Sequence, residues 1–523
     1  VRSTASTLAT RMKRNFEQSI AIDTRTLAVF RVFVGLLVLA DLVLRSRNFS
    51  YFYSEDGVAP QSLAESMTPD NAFSFYYFTT DSTLIAALMV IQALIAIQLI
   101  LGYKTTIATL LSFLFVISLD HHNPLVLSYA DTLFRLLLFW AIFLPLGERW
   151  SIDALHADWE PRTQVASIAS ALILCQMVAM YFVNAYHKSM DPLWTGGEAT
   201  PLIMGLDNTT FLLGEFMRNF PTLLQFGGLT WYYMLWFSWL LIFLPGRWRM
   251  LLVGMFMVAH ASFAITVRIG AFPYVALAGV MLFLQTQFWI DLRTVGRYLG
   301  VDEREFRTRL EGLRRVGRYF PRVRPYDRRR KQAGAYLHSI GIGAVVIALV
   351  MFTLLSYAPV GGVDERQTEP QQEIEDVADR FNIDQPTWSI FAPTPRTTDR
   401  YYVFPAQTAD GEVIDVYNER EMTYDRPGKE LQKQFGTYRE RFYMNSVRRA
   451  GFDGQASVLK AEYLCTTWAD ENDVELTHVN MYQVRENVTM DTIDTPEDRD
   501  RYINIIYQHG CGDNEPIDIA PPE

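Results

Sequence analysis

Apolar residues in this chain gather into blocks long enough to cross a bilayer, which takes about 20 residues of helix. The blocks fall at 25–44, 84–102, 106–119, 125–146, 165–186, 229–244, 251–267, 272–288 and 336–357. They predict a mainly α architecture with about nine spans. The last third is different: residues 361–523 carry a net charge of about −17, against −10 for the whole chain. The remainder is therefore basic by about +7. We expect two parts, a transmembrane domain over 1–360 and an acidic α+β domain over 361–523. An acidic surface of this kind excludes nucleic acid as a partner and leaves membrane lipid as the first one.

The basic residues predict an orientation. The stretch 291–331 holds 14 Lys and Arg, which places it in the cytoplasm by the positive-inside rule. Counting back through the spans puts Arg247, Arg249, Lys104 and the basic N-terminus on the same side. The 361–523 domain then lies outside, in a multi-pass protein of the cell membrane. Three glycosylation acceptor triplets, at Asn48, Asn208 and Asn487, fall on that outer side. Cys465 and Cys511 can form a disulfide if that side is oxidising. Cys175 lies in an apolar run and is expected to pack as a small apolar side chain. No zinc-ligand spacing is present, so no metal is expected, and no cleavable signal peptide is recognised. In the acidic domain, alternation over 401–404 and 413–417 around Asp410-Gly411 reads as a β-hairpin. Residues 474–484 and 503–507 read as strands; 429–444 and 446–464 read as helical or mixed.

Ionisable side chains within apolar runs are the candidates for function. The stretch 181–194, YFVNAYHKSMDPLW, brings His187 and Lys188 to the outer end of the fifth span. Two readings of Lys188 stay open: an ammonium that snorkels to the interface, or the base of a membrane-embedded site. His260 sits nine residues into the seventh span, about 14 Å along its axis. His121 and His122 stand in an outer turn, and Arg268 and Tyr274 border the same side. Asp131 and Arg135, like Asp41 and Arg45, are four residues apart and share a helix face. Both pairs read first as structural ion pairs holding helices in register, and second as parts of a site.

Longer stretches carry a resemblance. LAVFRVFVGLLVLADLVLR with FYSEDGVAP, LDHHNPLVLSYADTLFRLLLFW with LPLGERWSIDAL, YFVNAYHKSMDPLW, MVAHASFAITVRIGAFPYV and TWSIFAPTPRTTDRYYVFPAQTADGE together resemble the vitamin K-dependent gamma-carboxylase-like membrane domain, or HTTM domain. The resemblance implies a quinol-dependent membrane enzyme. In that family a lysine following a YF-containing helix deprotonates vitamin K hydroquinone. Lys188 takes that lysine's place, and a base must be a neutral amine. His260 falls in a segment resembling another histidine-bearing helix, and His187 is a possible neighbouring charge. The implied cosubstrates are a reduced vitamin K- or menaquinone-like quinone, oxygen and carbon dioxide, with a glutamate-containing protein or peptide as acceptor. One departure is plain. Where the animal enzymes carry an Asn-His pair before WSVDGL, this chain has Gly147-Glu148-Arg149 before WSIDAL, so a histidine linked to carbon dioxide fixation is missing. The alternative reading is a non-catalytic membrane scaffold or receptor whose outer domain binds an extracellular partner. A transporter is disfavoured, because neither similar halves nor paired interrupted spans are visible.

Overall fold

The computed structural model describes residues 11, 13–300, 317, 319–321, 340–343 and 369–519. Five helices are long and apolar enough to cross a membrane: α1 (Thr24–Ser46), α2 (Ser82–Leu101), α3 (Thr105–His122), α5 (Ile168–Lys188) and α7 (Gly246–Thr266). The expected fourth span contains only α4 (Tyr129–Ala141), whose 13 residues reach about 20 Å against the roughly 30 Å of a hydrocarbon core. The sixth holds α6 (Pro221–Trp236), 16 residues long. The eighth is broken into α8 (Phe272–Met281) and α9 (Thr286–Tyr298), bent by 99°, which brings the number to six if the pair is one span. The ninth lies outside the described residues except for 340–343, as does most of the basic stretch. Nine spans thus become five or six among the described residues.

Local chemistry sets these boundaries. The Asp23 carboxylate accepts from the Arg25 backbone at 2.9 Å and starts α1. Asp81 accepts from Leu84 at 3.0 Å and starts α2. Gly102 ends α2 in the left-handed region, where an added Cβ would strike Ser151. Asp153 caps α3 through the Lys104 and Thr105 backbone N–H groups, each at 2.8 Å. Ser128 and Asp131 form a capping box on α4. Outward faces of the long helices are apolar: Leu84, Val90, Ile91 and Leu94 on α2 are all exposed. A belt of that kind suits hydrocarbon, not water. Cys175 belongs to it. It is exposed on α5 and does not pack in the interior.

The C-terminal region carries α10 (Glu369–Arg380), α11 (Tyr438–Ala450) and α12 (Gln455–Tyr463) beside a six-stranded antiparallel sheet. Its centre is β7 (Leu476–Asn487). One side of β7 pairs with β8 (Arg501–Gly510). The other pairs in succession with β3 (Thr398–Val403) and β4 (Pro405–Thr408). The sheet continues through β5 (Val413–Asp415) to β6 (Arg420–Glu421). The Asp410-Gly411 turn does join a hairpin, but its strands are β4 and β5. Tyr401 and its neighbours pair with β7 instead, because Phe404 interrupts the ladder and lets β3 and β4 lie end to end along one strand. Cys465 and Cys511 are bonded, with Cα atoms 5.5 Å apart, closing a span of 46 residues. A two-stranded ribbon, β1 (Ile22–Asp23) with β2 (Gln164–Val165), ties the start of α1 to the start of α5.

Three clusters of charged side chains are among the polar contacts that fasten this region to the bundle. Arg439 of α11 reaches the bundle aspartates described below. Asp207 and Asp399 share Arg499, at 3.0 and 3.3 Å, and Arg426 bridges Asp207 to Glu486. Asn208 is drawn into this cluster: it is 1% exposed and its Oδ1 accepts from Arg396. As folded, the Asn208 triplet is closed to a glycosyl group, contrary to its expected accessibility. The third contact is Lys460 of α12, which donates to Tyr51 Oη at 2.9 Å. The rings of Tyr51, Tyr417 and Tyr463 surround its ammonium at 5.1–5.9 Å.

Burial pushes the Lys460 pKa down to about 8, and the Glu440 charge opposes this only in part. An unfolded lysine titrates near 10.4. Between those values the unfolded chain holds the extra proton, so stability rises with pH by up to about 1.4 kcal/mol per unit. Lys460→Met should lack that slope. Denaturant titrations are expected to show the mutant losing about 3 kcal/mol relative to wild type between pH 7.5 and 10.5. A constant difference across that range would place Lys460 in a solvated setting.

Candidate functional site

The fifth span presents one face to a strap of chain from the C-terminal region. Tyr181, Asn184 and Lys188 follow at i, i+3 and i+7, so they stack along one side of α5. Residues 385–391 run along that side. Gln176 exchanges hydrogen bonds with Gln385 at 2.7 and 3.0 Å. Asn184 donates to the Trp388 carbonyl at 2.7 Å and to that of Ile390 at 3.1 Å. Lys188 Nζ donates to the Ile390 carbonyl at 2.8 Å, and Trp194 Nε1 to that of Phe391 at 3.0 Å. Tyr129 Oη meets Ser389 Oγ at 3.0 Å. Trp388 and Phe391 both adopt left-handed backbone, with φ of 50° and 52°. Non-glycine residues bear a cost of order 1–3 kcal/mol there, and such outliers gather at functional sites.

Lys188 is only 2% exposed. Its Nζ lies 3.5 Å from the Trp194 ring centroid and has no carboxylate within salt-bridge distance among the described residues. An ammonium without a counter-ion is costly in such a place, and the Trp194 ring face and the Ile390 carbonyl offset that cost only in part. Snorkelling is excluded by that burial. His187, next in sequence, points elsewhere and packs edge-on against Tyr186.

His260 is fully buried. Its Nε2 is 2.7 Å from Tyr181 Oη, and its Nδ1 has no partner among the described residues. Trp231, Phe263 and Phe272 ring it, and Phe256 packs against Tyr181. Tyr181 therefore stands between His260 and the Lys188 face, two helical turns from the lysine. His260 on α7 and Lys188 on α5 do not touch; Tyr181, on the same face of α5 as Lys188, is what bonds His260.

The remaining candidates assemble elsewhere. Arg45 binds Asp41 at 2.7 Å and Asp120 at 2.6 Å; Arg135 binds Asp120 at 2.7 Å. Arg439 binds Asp131 at 2.9 Å and also Asp41. The Asp41–Arg45 pair is thus real, but Asp131 and Arg135 do not bind each other. Each finds a closer partner on another element: Asp131 is held at the start of α4 by its cap, facing Arg439. His121 Nδ1 bonds the Phe73 carbonyl at 2.9 Å, and His122 lies between the Tyr53 and Tyr76 rings. Neither touches Lys188. Arg268 donates to the carbonyls of Gln432 and Gly436. Tyr274 is exposed at 44%.

Gly147 and Glu148 lie at the other end of the bundle. Arg31 holds that turn through the carbonyls of Leu146, Arg149 and Trp150 at 2.6–3.1 Å. Asp153 from the same stretch caps the start of α3, whose far end carries Asp120, and Lys188 ends a helix that begins at the β1–β2 ribbon. About 30 Å of helix separates the two ends of α5.

A family model, the HTTM domain, matches residues 20–289. The chain belongs to the HTTM-domain family. The match takes in the helices from α1 to α8, with Lys188, Tyr181 and His260. It stops before the strap, so the segment that closes over the lysine comes from outside the matched region. No curated protein and no solved structure matches significantly. No cluster of metal-ligating side chains occurs among the described residues of this HTTM-domain protein.

Sequence reasoning passed over Asn184, Tyr181 and Arg439 as site residues. The first two were readable as the i, i+3, i+7 face that ends in Lys188. Arg439 sits in a polar helix and carries no local mark. Replacing Arg439 by Met should leave Asp41 and Asp131 short of a counter-charge, at a cost of about 3–5 kcal/mol. Adding Asp131→Asn should recover at least half of this. Thermal unfolding in detergent tests both, and an undisturbed R439M protein would mean that the network does not hold the two regions together.

Proposed function

We propose that this HTTM-domain protein is a multi-pass membrane enzyme in which Lys188 is a general base toward a lipid-soluble quinol. The observation that carries the reading is a lysine buried without a carboxylate, against an aromatic ring, under a strained strap. A bound reduced isoprenoid quinone, with oxygen, would supply the oxidative chemistry. The residues suit that group: an amine able to take a hydroxyl proton, a ring face at Trp194, and apolar helix surface open to lipid. Asn184 orients the strap, Ile390 fixes the amine, and Tyr181 and His260 form a hydrogen-bonded pair behind it. The orientation with the C-terminal region outside the cell, and nine spans, belongs to the same reading.

Glutamyl carboxylation is the reference reaction for such an enzyme. The Gly147-Glu148 stretch offers no histidine and lies across the bundle from Lys188, so proton abstraction is the better supported half. A second reading has an observation of its own. The Lys188–Ile390 bond could serve only to hold the strap, in a non-catalytic scaffold.

The experiment supplies reduced menaquinone or vitamin K, oxygen and labelled bicarbonate to the protein reconstituted in lipid. Quinone epoxide is expected from wild type. Lys188→Ala should lower its formation by about 10²–10⁴-fold, the range for a lost general base. Equal epoxidation by both proteins rules out the base role. No epoxide from either, with quinol binding verified, favours the scaffold. Label fixed into a glutamate peptide would extend the activity to carboxylation.

A further inference from the structure

A cavity of about 450 Å³ opens beside the charge network, and neither Lys188 nor residues 385–391 line it. Leu37, Val116, Phe134 and Val275 give it an apolar wall. Its exposed lining residues are Ala40 and Arg47 at the end of α1, Tyr274 on α8 and Gly436, so its mouth lies where the bundle helices meet the C-terminal region. Volume and apolar lining fall in the range of small-molecule sites.

The polar part of the lining is not balanced. Asp41, Asp120 and Asp131 are engaged by Arg45, Arg135 and Arg439. Two further lining cations, Arg47 and Arg268, have no carboxylate within salt-bridge distance among the described residues. Among the described residues the Arg268 guanidinium bonds only backbone carbonyls, and that of Arg47 has no hydrogen-bond or ion-pair partner. Burial holds the Arg268 pKa below the ordinary arginine value; Glu440 raises it in part and the Arg47 charge lowers it further, so the two arginines sense each other. Glu440 is itself held by the Gly436 backbone N–H at 2.8 Å.

Two buried polar atoms of wall residues also lack partners. The Tyr438 hydroxyl, on a residue 8% exposed, and Arg439 Nε make no hydrogen bond among the described residues. The Tyr438 ring is seated on Gly270, where a Cβ would come within 2.6 Å of it. Both atoms are enclosed by protein, so they lie behind the cavity wall and are not presented to it. Two close arginines call for an anion, and guanidinium pairs suit phosphate oxygens.

We propose that this cavity binds one anionic phospholipid, with its phosphodiester between Arg47 and Arg268 and its first acyl segment along Leu37, Phe134 and Val275. Basic pockets between membrane helices recognise lipid head groups by this chemistry. The site is separate from Lys188 and does not depend on the quinol reading.

Native mass spectrometry of the full chain, released from detergent containing equal phosphatidylglycerol and phosphatidylcholine, provides the test. Wild type should retain a single phosphatidylglycerol, preferred at least about 10-fold over phosphatidylcholine. Arg47→Gln is expected to keep its fold, because Arg47 is exposed and unpaired, and to cut retention about fivefold or more. Ala264→Phe, which fills the cavity without touching charge, should do the same. A large excess of inorganic phosphate should not displace the lipid. Equal retention of the two lipids by wild type overturns the proposal, as does full retention by both variants. Displacement by inorganic phosphate overturns it in favour of a free-anion site.

Discussion

The Arg439 guanidinium, buried between Asp41 and Asp131, is the interaction on which the arrangement of the two regions depends. It is donated by α11 of the C-terminal region and accepted by α1 and the start of α4. Around it, Arg45, Asp120 and Arg135 complete a set of three cations and three anions. Desolvating six charges is expensive, and pairing offsets the expense only when every member is in place. That all-or-none quality fixes where α11 must sit. The Asp207–Asp399–Arg499 cluster and the Lys460 contact add further points of attachment, so the C-terminal region is held against the bundle at more than one place.

This attachment is what makes a site of Lys188. On α5 alone the lysine would end a helix near an interface and could reach water. The strap over 385–391 covers it, and it is itself located by Asn184, Gln176, Tyr129 and the Arg135–Asn382 bonds at 2.8 Å. Arg135 thus belongs both to the charge network and to the base of the strap. A disturbance of the network has a short physical route to the lysine, through one side chain.

The bundle helices with unbroken apolar runs were legible in the sequence, because hydropathy and length report lipid-facing segments directly. The broken eighth span and the short α4 were not. Their apolar composition is real, but α4 is largely surrounded by protein, and hydropathy does not distinguish burial in protein from burial in lipid. Lys188 and His260 were legible as expensive residues, and the Asp41–Arg45 pair as an i, i+4 contact. The supposed Asp131–Arg135 pair failed because Asp131 meets Arg439, 308 residues on, and Arg135 meets Asp120 on the preceding helix, and neither partner leaves a local pattern. Likewise Asp410-Gly411 marked the turn correctly, while the strand opposite Tyr401 was decided by the length of β7.

The order of the chain gives the charge network a history. Arg439 lies 398 residues after Asp41 and 308 after Asp131. A ribosome therefore delivers three aspartates and two arginines to the bundle long before the third arginine exists. Until α11 docks, that core carries one negative charge in excess, to be borne by a bound proton, by water or by a passing cation. The C-terminal region is in this sense the counter-ion of the helices that precede it, and a chain ending before residue 439 would be a bundle left electrically unfinished.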